Sequence, residues 1–223
     1  MFSEVFPNIF AFLPSNGGSN CFLLKGQKEI ALIDSSSRDN ASALISSLKG
    51  IGVKPGEVTL LIHTHGHADH FGCDGLFSNA KIAMHEKDGK KINAGLEEFA
   101  CLHFFPGTEL PKVSFFLKAG QSLDLGGMKL KVIHCPGHTS GSICLLLEPG
   151  KILFSGDCLF VEGFGRADLA SGNAQNLVES LKKLQKTPFK ALFPGHGPVL
   201  LGDEKNALLH LKKIVEMATN TFL

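Results

Sequence analysis

The sequence predicts a single layered α/β domain over residues 1–223, and three observations carry that expectation. Apolar runs of strand character alternate with segments whose apolar residues recur at helical spacing, so helices should cover sheets. The order of strands followed by a helix occurs twice, which suggests two similar halves. No stretch reads as a linker, and a hydrophobic content of 43% supports a large core.

Taken in order, residues 5–13 and 19–25 read as two strands joined by the turn-rich Pro14-Ser15-Asn16-Gly17-Gly18. A third strand, 29–33, ends at Asp34. Ala41, Leu44, Ile45 and Leu48 then share one helical face, with Gly50 and Gly52 beyond its end. Val58 to Ile62 is a buried strand, 71–77 a short helix and 81–84 another strand. A helix over 86–99 is followed by Phe104-Phe105-Pro106-Gly107 and Phe115-Phe116, aromatics that suit either a satellite core or a cover over a pocket. Strands resume at 121–125, 128–135, 142–147 and 151–154. A loop over 157–172 leads to an amphipathic helix marked by Ala174, Leu177, Val178, Leu181 and Leu184 and stopped at Pro188. A strand at 191–193 and a helix marked by Leu208, Leu211, Val215 and Ala218 close the chain.

Composition narrows the function. Twenty-two basic and 21 acidic side chains leave a formal net charge of +1, so no broad basic face for nucleic acid is expected. No apolar stretch has the length to span a bilayer, and the N-terminus lacks the basic start and apolar core of a signal peptide. A cytosolic protein acting on a small molecule, without nucleic-acid or membrane partners, is the expectation. Six cysteines are scattered without a Cys-x-x-Cys pair, which argues against a zinc ribbon or thioredoxin-like motif. They read as reduced structural thiols, with Cys73, Cys135 and Cys158 near suspected ligands.

The chemistry lies in Leu60-Leu61-Ile62-His63-Thr64-His65-Gly66-His67-Ala68-Asp69-His70, where an apolar run breaks into lone-pair donors on small spacers. Three further places share that grammar: His138 after Cys135-Pro136-Gly137, Asp157 after Ser155-Gly156, and His196 after Pro194-Gly195. His65, His67 and His138 make one set of three imidazoles, which suits a zinc-like ion with an open position. Asp69, His70 and His196 make a second set. Asp157 is left to bridge two ions roughly 3.5–4 Å apart, the spacing of two-metal hydrolytic sites. Nitrogen and oxygen donors without thiolate suit two divalent ions, zinc first and iron or manganese also. Asp34, at a strand end, is expected to hydrogen-bond a ligating histidine. His63, His85, His103, His134 and His210 are read as structural or surface histidines. Ser140 and Ser155 have no paired base, so serine nucleophile chemistry is not indicated.

His65-x-His67-x-Asp69-His70, with His138, Asp157 and His196 following in order, resembles the metallo-β-lactamase superfamily over nearly the whole chain. The resemblance implies a four-layer αβ/βα sandwich with metals between the sheet edges. It implies that His65, His67 and His138 hold one ion, that Asp69, His70 and His196 hold the other, and that Asp157 bridges. The Gly165-Arg166-x-Asp168-Leu169 stretch is similar to small glyoxalase II-like hydrolases and persulfide dioxygenases. A dinuclear hydrolase acting on a thioester is therefore expected, with Asp69 orienting the attacking water and Arg166 at the substrate. A mononuclear iron persulfide dioxygenase on His65, His138 and Asp157 is the alternative, and a non-catalytic metal-binding scaffold a third reading. Other branches fit less well. Lactonases of this fold lean on a pocket tyrosine, and this chain has none. The zinc β-lactamases lack the bridging aspartate. RNA-processing members usually carry an added RNA-binding arm. Flavodiiron proteins have glutamate at the His67 position and an added flavodoxin domain. Glyoxalase II proper carries a C-terminal helical region, whereas only residues 197–223 follow His196.

Overall fold

A computed structural model describes residues 1–222. Two sheets pack face to face, with helices on both outer sides, which is the expected four-layer sandwich. The first sheet runs in chain order: β1 (Ser3–Phe6), β2 (Ile9–Phe12), β3 (Cys21–Lys25), β4 (Ile30–Ile33), β5 (Leu60–His63), β6 (Lys81–His85) and β7 (Phe115–Leu117). It is antiparallel through β4 and parallel from β4 to β7. The second sheet contains β8 (Ser122–Asp124), β9 (Lys129–His134), β10 (Ile143–Glu148), β11 (Ile152–Gly156), β12 (Ala191–Pro194) and β13 (Leu200–Leu201), in reverse order across the sheet. Only β11 and β12 are parallel there. The helices are α1 (Ala41–Gly50), α2 (Ala68–Phe71), α3 (Glu86–Asn93), α4 (Ala174–Leu184) and α5 (Glu204–Phe222).

The side-chain period of two makes the layers. Phe22 and Leu24 of β3 point between the sheets and meet Phe154 and Phe193, while Cys21 and Leu23 point outward beneath Leu44 and Leu48 of α1. On the other side, Leu153 and Leu192 face Leu177, Leu181 and Leu211 of α4 and α5. Central strands buried on both faces read as near-continuous apolar runs, which is why their sequence pattern resists any single period. Among the described residues, no helix is long and apolar enough to cross a membrane.

Several elements differ from the sequence reading. The strand expected over 5–13 is a hairpin, turned at Asn8 with φ 64°. The helix expected over 71–77 is the single turn α2 plus a 3-10 turn at Asp74–Leu76. The helix expected over 86–99 stops at Asn93, because Gly95 takes a φ of 78°. Strand β7 went unread, since a three-residue edge strand carries too little period to register.

An imidazole stack joins the two sheets. His85 at the end of β6 lies on His134 at the end of β9, with centroids 4.2 Å apart and planes within 3°. His85 is only 4% exposed, and burial together with His134 lowers its pKa to about 4. The unfolded chain protonates this residue near 6.5 and the folded chain only near 4, so its contribution is full above 6.5 and is lost as pH falls towards 4. Wild type should therefore lose about 2 kcal/mol more stability between pH 7 and pH 5 than His85→Gln. Urea unfolding of both proteins at the two pH values measures this. Equal losses would refute it.

Candidate metal centre

Each suspected ligand sits where a strand runs out. His65 and His67 follow β5, with Asp69 and His70 in the single turn of α2. His138 follows β9, Asp157 follows β11, and His196 follows β12. These ends share one rim, the usual location of sites in open α/β sheets. The turns are tight because backbones approach closely there. A Cβ at Gly195 would fall on the Asp157 carboxylate, and one at Gly165 on the Asp157 carbonyl.

The donors gather in two groups. In the first, His67 Nδ1 lies 3.1 Å from His65 Nε2 and 2.9 Å from His138 Nε2. In the second, His196 Nε2 lies 3.3 Å from His70 Nε2 and 3.3 Å from Asp69 Oδ2. Asp157 stands between them. Its Oδ1 is 3.4 Å from His70 Nε2, and its Oδ2 is 3.6 Å from His138 Nε2 and 3.5 Å from His196 Nε2.

Outer hydrogen bonds determine which ring nitrogens are bare. His138 Nδ1 donates to the Arg166 carbonyl at 2.7 Å, which can only accept, so Nε2 keeps its lone pair. Asp34 does the same for His70, accepting from Nδ1 at 2.9 Å. Asp34 also accepts from the Thr64 amide at 2.9 Å and the Thr64 hydroxyl at 2.8 Å. With its proton committed to Asp34, the Thr64 oxygen accepts from His65 Nδ1 at 3.2 Å, which leaves His65 Nε2 bare as well. Lone pairs packed about 3 Å apart repel unless a cation lies among them. Donors held tetrahedrally about 2.0–2.1 Å from one zinc ion stand roughly 3.3 Å apart, so the observed spacings fit. Asp157 Oδ1 supports the same conclusion, since it is buried without a hydrogen-bond partner.

The electrostatics divide along the same line. Burial, then His70, His138 and His67, push His65 well below the usual imidazole range. His67 falls to about 3 through burial and His138, with Asp69 and Asp157 opposing. At His70 burial opposes protonation, yet Asp34, Asp157 and Asp69 raise the group well above its ordinary value. Thus one half offers neutral lone pairs and the other, rich in carboxylate, demands positive charge. Burial would raise Asp34, but His70 and His63 hold it at about 2. It is also backbone-strained, with φ 54°.

A family model described as the metallo-β-lactamase superfamily matches residues 14–196, a span that includes all seven suspected ligands. The chain belongs to the metallo-β-lactamase superfamily. It is a hydrolase of that superfamily, whose fold implies divalent-metal binding, and its histidines are positioned to bind metal. A probable metallo-hydrolase of Methanocaldococcus jannaschii is 32% identical over 81% of this chain and 88% of its own. The hydroxyacylglutathione hydrolase GloC of Haemophilus influenzae is 31% identical over 84% of this chain and 90% of its own. Among solved structures, a metallo-β-lactamase family protein of Thermus thermophilus superposes with a TM-score of 0.78 at 22% identity, covering 96% of this chain and 81% of that one.

A cavity of about 300 Å³ opens onto this superfamily site, with His67, Asp69, His138, Asp157 and His196 at its floor. Phe104, Phe105, Phe160 and Leu169 form its walls. The 85–118 segment therefore does both things its sequence allowed: Phe99 and Val113 pack in a small core, while Phe104 and Phe105 line the cavity. Arg166 also lines it, but its guanidinium is held by Asp168 through two bonds of 2.7 Å.

The sequence concealed some supporting groups. His63, read as structural, bonds Asp74 at 2.9 Å and lies 3.6 Å from Asp34, continuing the chain of partners behind His70. Asn20 Nδ2 donates to the carbonyls of Pro194 and Gly197 at 3.0 and 2.9 Å, holding the turn that carries His196. Asp88 is fully buried and ties two ligand loops together. It accepts from the Gly66 amide at 3.2 Å and the Thr139 hydroxyl at 2.5 Å. In sequence it looks like an ordinary acid in a first helical turn. Asp88→Ala leaves the Gly66 amide unpaired in the interior and cuts the tie to Thr139, whose hydroxyl keeps only Ser142 at 2.8 Å. It should cost about 2–4 kcal/mol of stability and about 10–100-fold in activity or metal affinity. Chemical unfolding and metal titration check both, and wild-type metal affinity in the variant would refute the coupling.

Proposed function

We propose that the protein is a dinuclear metal-dependent hydrolase that cleaves thioesters joining a small, apolar acyl group to an uncharged thiol. The observation that carries this reading is Asp157, one carboxylate within 3.6 Å of donors from both groups. In this reading His65, His67 and His138 hold one ion, Asp69, His70 and His196 hold the other, and Asp157 is shared. The nitrogen and oxygen donors favour zinc and also suit iron or manganese. Two such ions would supply an activated water near neutral pH and polarisation of the substrate carbonyl.

The chain's own groups supply the rest. Asp69 reaches the cavity floor with a side chain 19% exposed, where its carboxylate would accept a hydrogen bond from the attacking water and orient it. Phe105 and Phe160, half-buried in the cavity wall, pack the acyl group, with the exposed Phe104 at the mouth. Arg166 touches the substrate as half of a neutral pair with Asp168, so the mouth carries little net positive charge to select an anion. The relative named hydroxyacylglutathione hydrolase supports thioester chemistry at 31% identity.

Metal analysis of the purified protein followed by a thioester panel tests the proposal. Two zinc-like ions per chain are expected. Neutral aliphatic thioesters should exceed glutathione and coenzyme A thioesters of the same acyl group by about tenfold or more in kcat/KM. A preference for the charged carriers would overturn the substrate class. One iron per chain with oxygen uptake on a persulfide would overturn the hydrolase and favour the dioxygenase alternative.

A further inference from the structure

Cys135, Cys144 and Cys158 come together on the α4 side of the second sheet, within the core that contains Leu177 and Leu181. They are 0%, 0% and 1% exposed, and their three Sγ atoms all lie within 4.8 Å of one another. Among the described residues, no other three thiols gather in this way. The β9–β10 register accounts for two of them: Cys144 pairs with Ile133, so Cys135 lies two residues along on the same face. Cys158 enters from the turn after β11, where its amide bonds the Ser155 carbonyl at 3.1 Å.

Thiols can pack simply as small apolar groups. Three sulfurs converging on one point also form a soft donor set, unlike the nitrogen and oxygen donors at the rim. Sulfurs about 2.3 Å from a shared ion stand roughly 4 Å apart, so small side-chain rotations close this group. Charge then selects the ion. Three thiolates around a monovalent or divalent ion leave net negative charge in an apolar core, and uncompensated buried charge is costly. The nearby cation, Lys183, is exposed and already donates to the His134 carbonyl at 2.9 Å. A trivalent centre leaves no net charge.

We propose that Cys135, Cys144 and Cys158 form a buried trithiol site for a trivalent thiophilic ion of the arsenic(III) class, separate from the rim site. Arsenous acid trades three As–O bonds for three As–S bonds, each thiol proton leaves with a hydroxide as water, and no electron is transferred. Arsenous acid is small and uncharged, so it reaches the core through local opening beneath α4 without carrying charge inward. The hard donors at the rim give it no comparable site.

The test uses the metal-loaded protein, incubated at length with arsenite and then desalted. One retained arsenic per chain is expected, with three sulfur neighbours by X-ray absorption. Cys144→Ala and Cys135→Ala, each checked for folding by circular dichroism, should hold arsenic about a hundredfold more weakly, because one arm of a three-point attachment is gone. Cys21→Ala, which lies under α1 on the other sheet, should match wild type. No retained arsenic, two sulfur neighbours, or undiminished retention in Cys144→Ala would each overturn the site. If the variants fail to fold, the coordination number in wild type decides alone.

Discussion

Replacing Asp157 by alanine is expected to lower kcat/KM by at least about a thousandfold while leaving the fold intact. Partners that only support a ligand typically cost 10–100-fold when removed, and Asp157 reaches both donor groups directly. Burial raises its pKa, but His70, His196 and His138 lower it further, so the carboxylate is ionised at any working pH. Its loss removes a negative charge where two cations would meet. The variant should bind fewer ions per chain and lose most of the stabilisation that added metal gives wild type, since a ligand stabilises only the state it binds. Metal counting and thermal unfolding, with and without added zinc, test this beside kinetics. Unchanged turnover of every substrate found would remove Asp157 from the proposed centre.

Asp34→Asn is expected to be nearly as damaging, although it changes volume hardly at all. Asp34 Oδ2 accepts from both His70 Nδ1 and the Thr64 hydroxyl. If Asn keeps its oxygen towards the Thr64 amide, its NH2 faces two donors. His70 must then move its proton to Nε2, the nitrogen that faces Asp157 and His196. The second donor set would lose a lone pair, and affinity for one of the two ions should fall by about a hundredfold. Asp34→Glu, which retains two acceptor oxygens, should recover part of it. A merely structural role would give a stability loss with unchanged metal stoichiometry, so ion counts and unfolding midpoints together separate the two explanations.

The sequence singled out the candidate donors because metal chemistry restricts residue type so narrowly. His65, His67, Asp69 and His70 on small spacers have no packing purpose, and each remaining donor sits behind a strand with Pro or Gly at its shoulder. The apolar runs likewise announced two-sided burial, and with it helices over sheets. Where the signal was local and short, it failed. The hairpin at Asn8, the end of α3 and the edge strand β7 each depend on one or two backbone angles or on a neighbour across the sheet.

Residue type and spacing marked the candidate donors, and the resemblance they carry pointed to the superfamily and the layered fold. How those donors are held emerged only once the chain was folded. Asp34 and the Arg166 carbonyl orient the imidazoles, Asp88 couples two loops, Arg166 is paired with Asp168, and three distant cysteines converge. Most of these contacts join residues tens of positions apart, and a hydrogen bond or a shared cavity between such residues leaves no period in either segment.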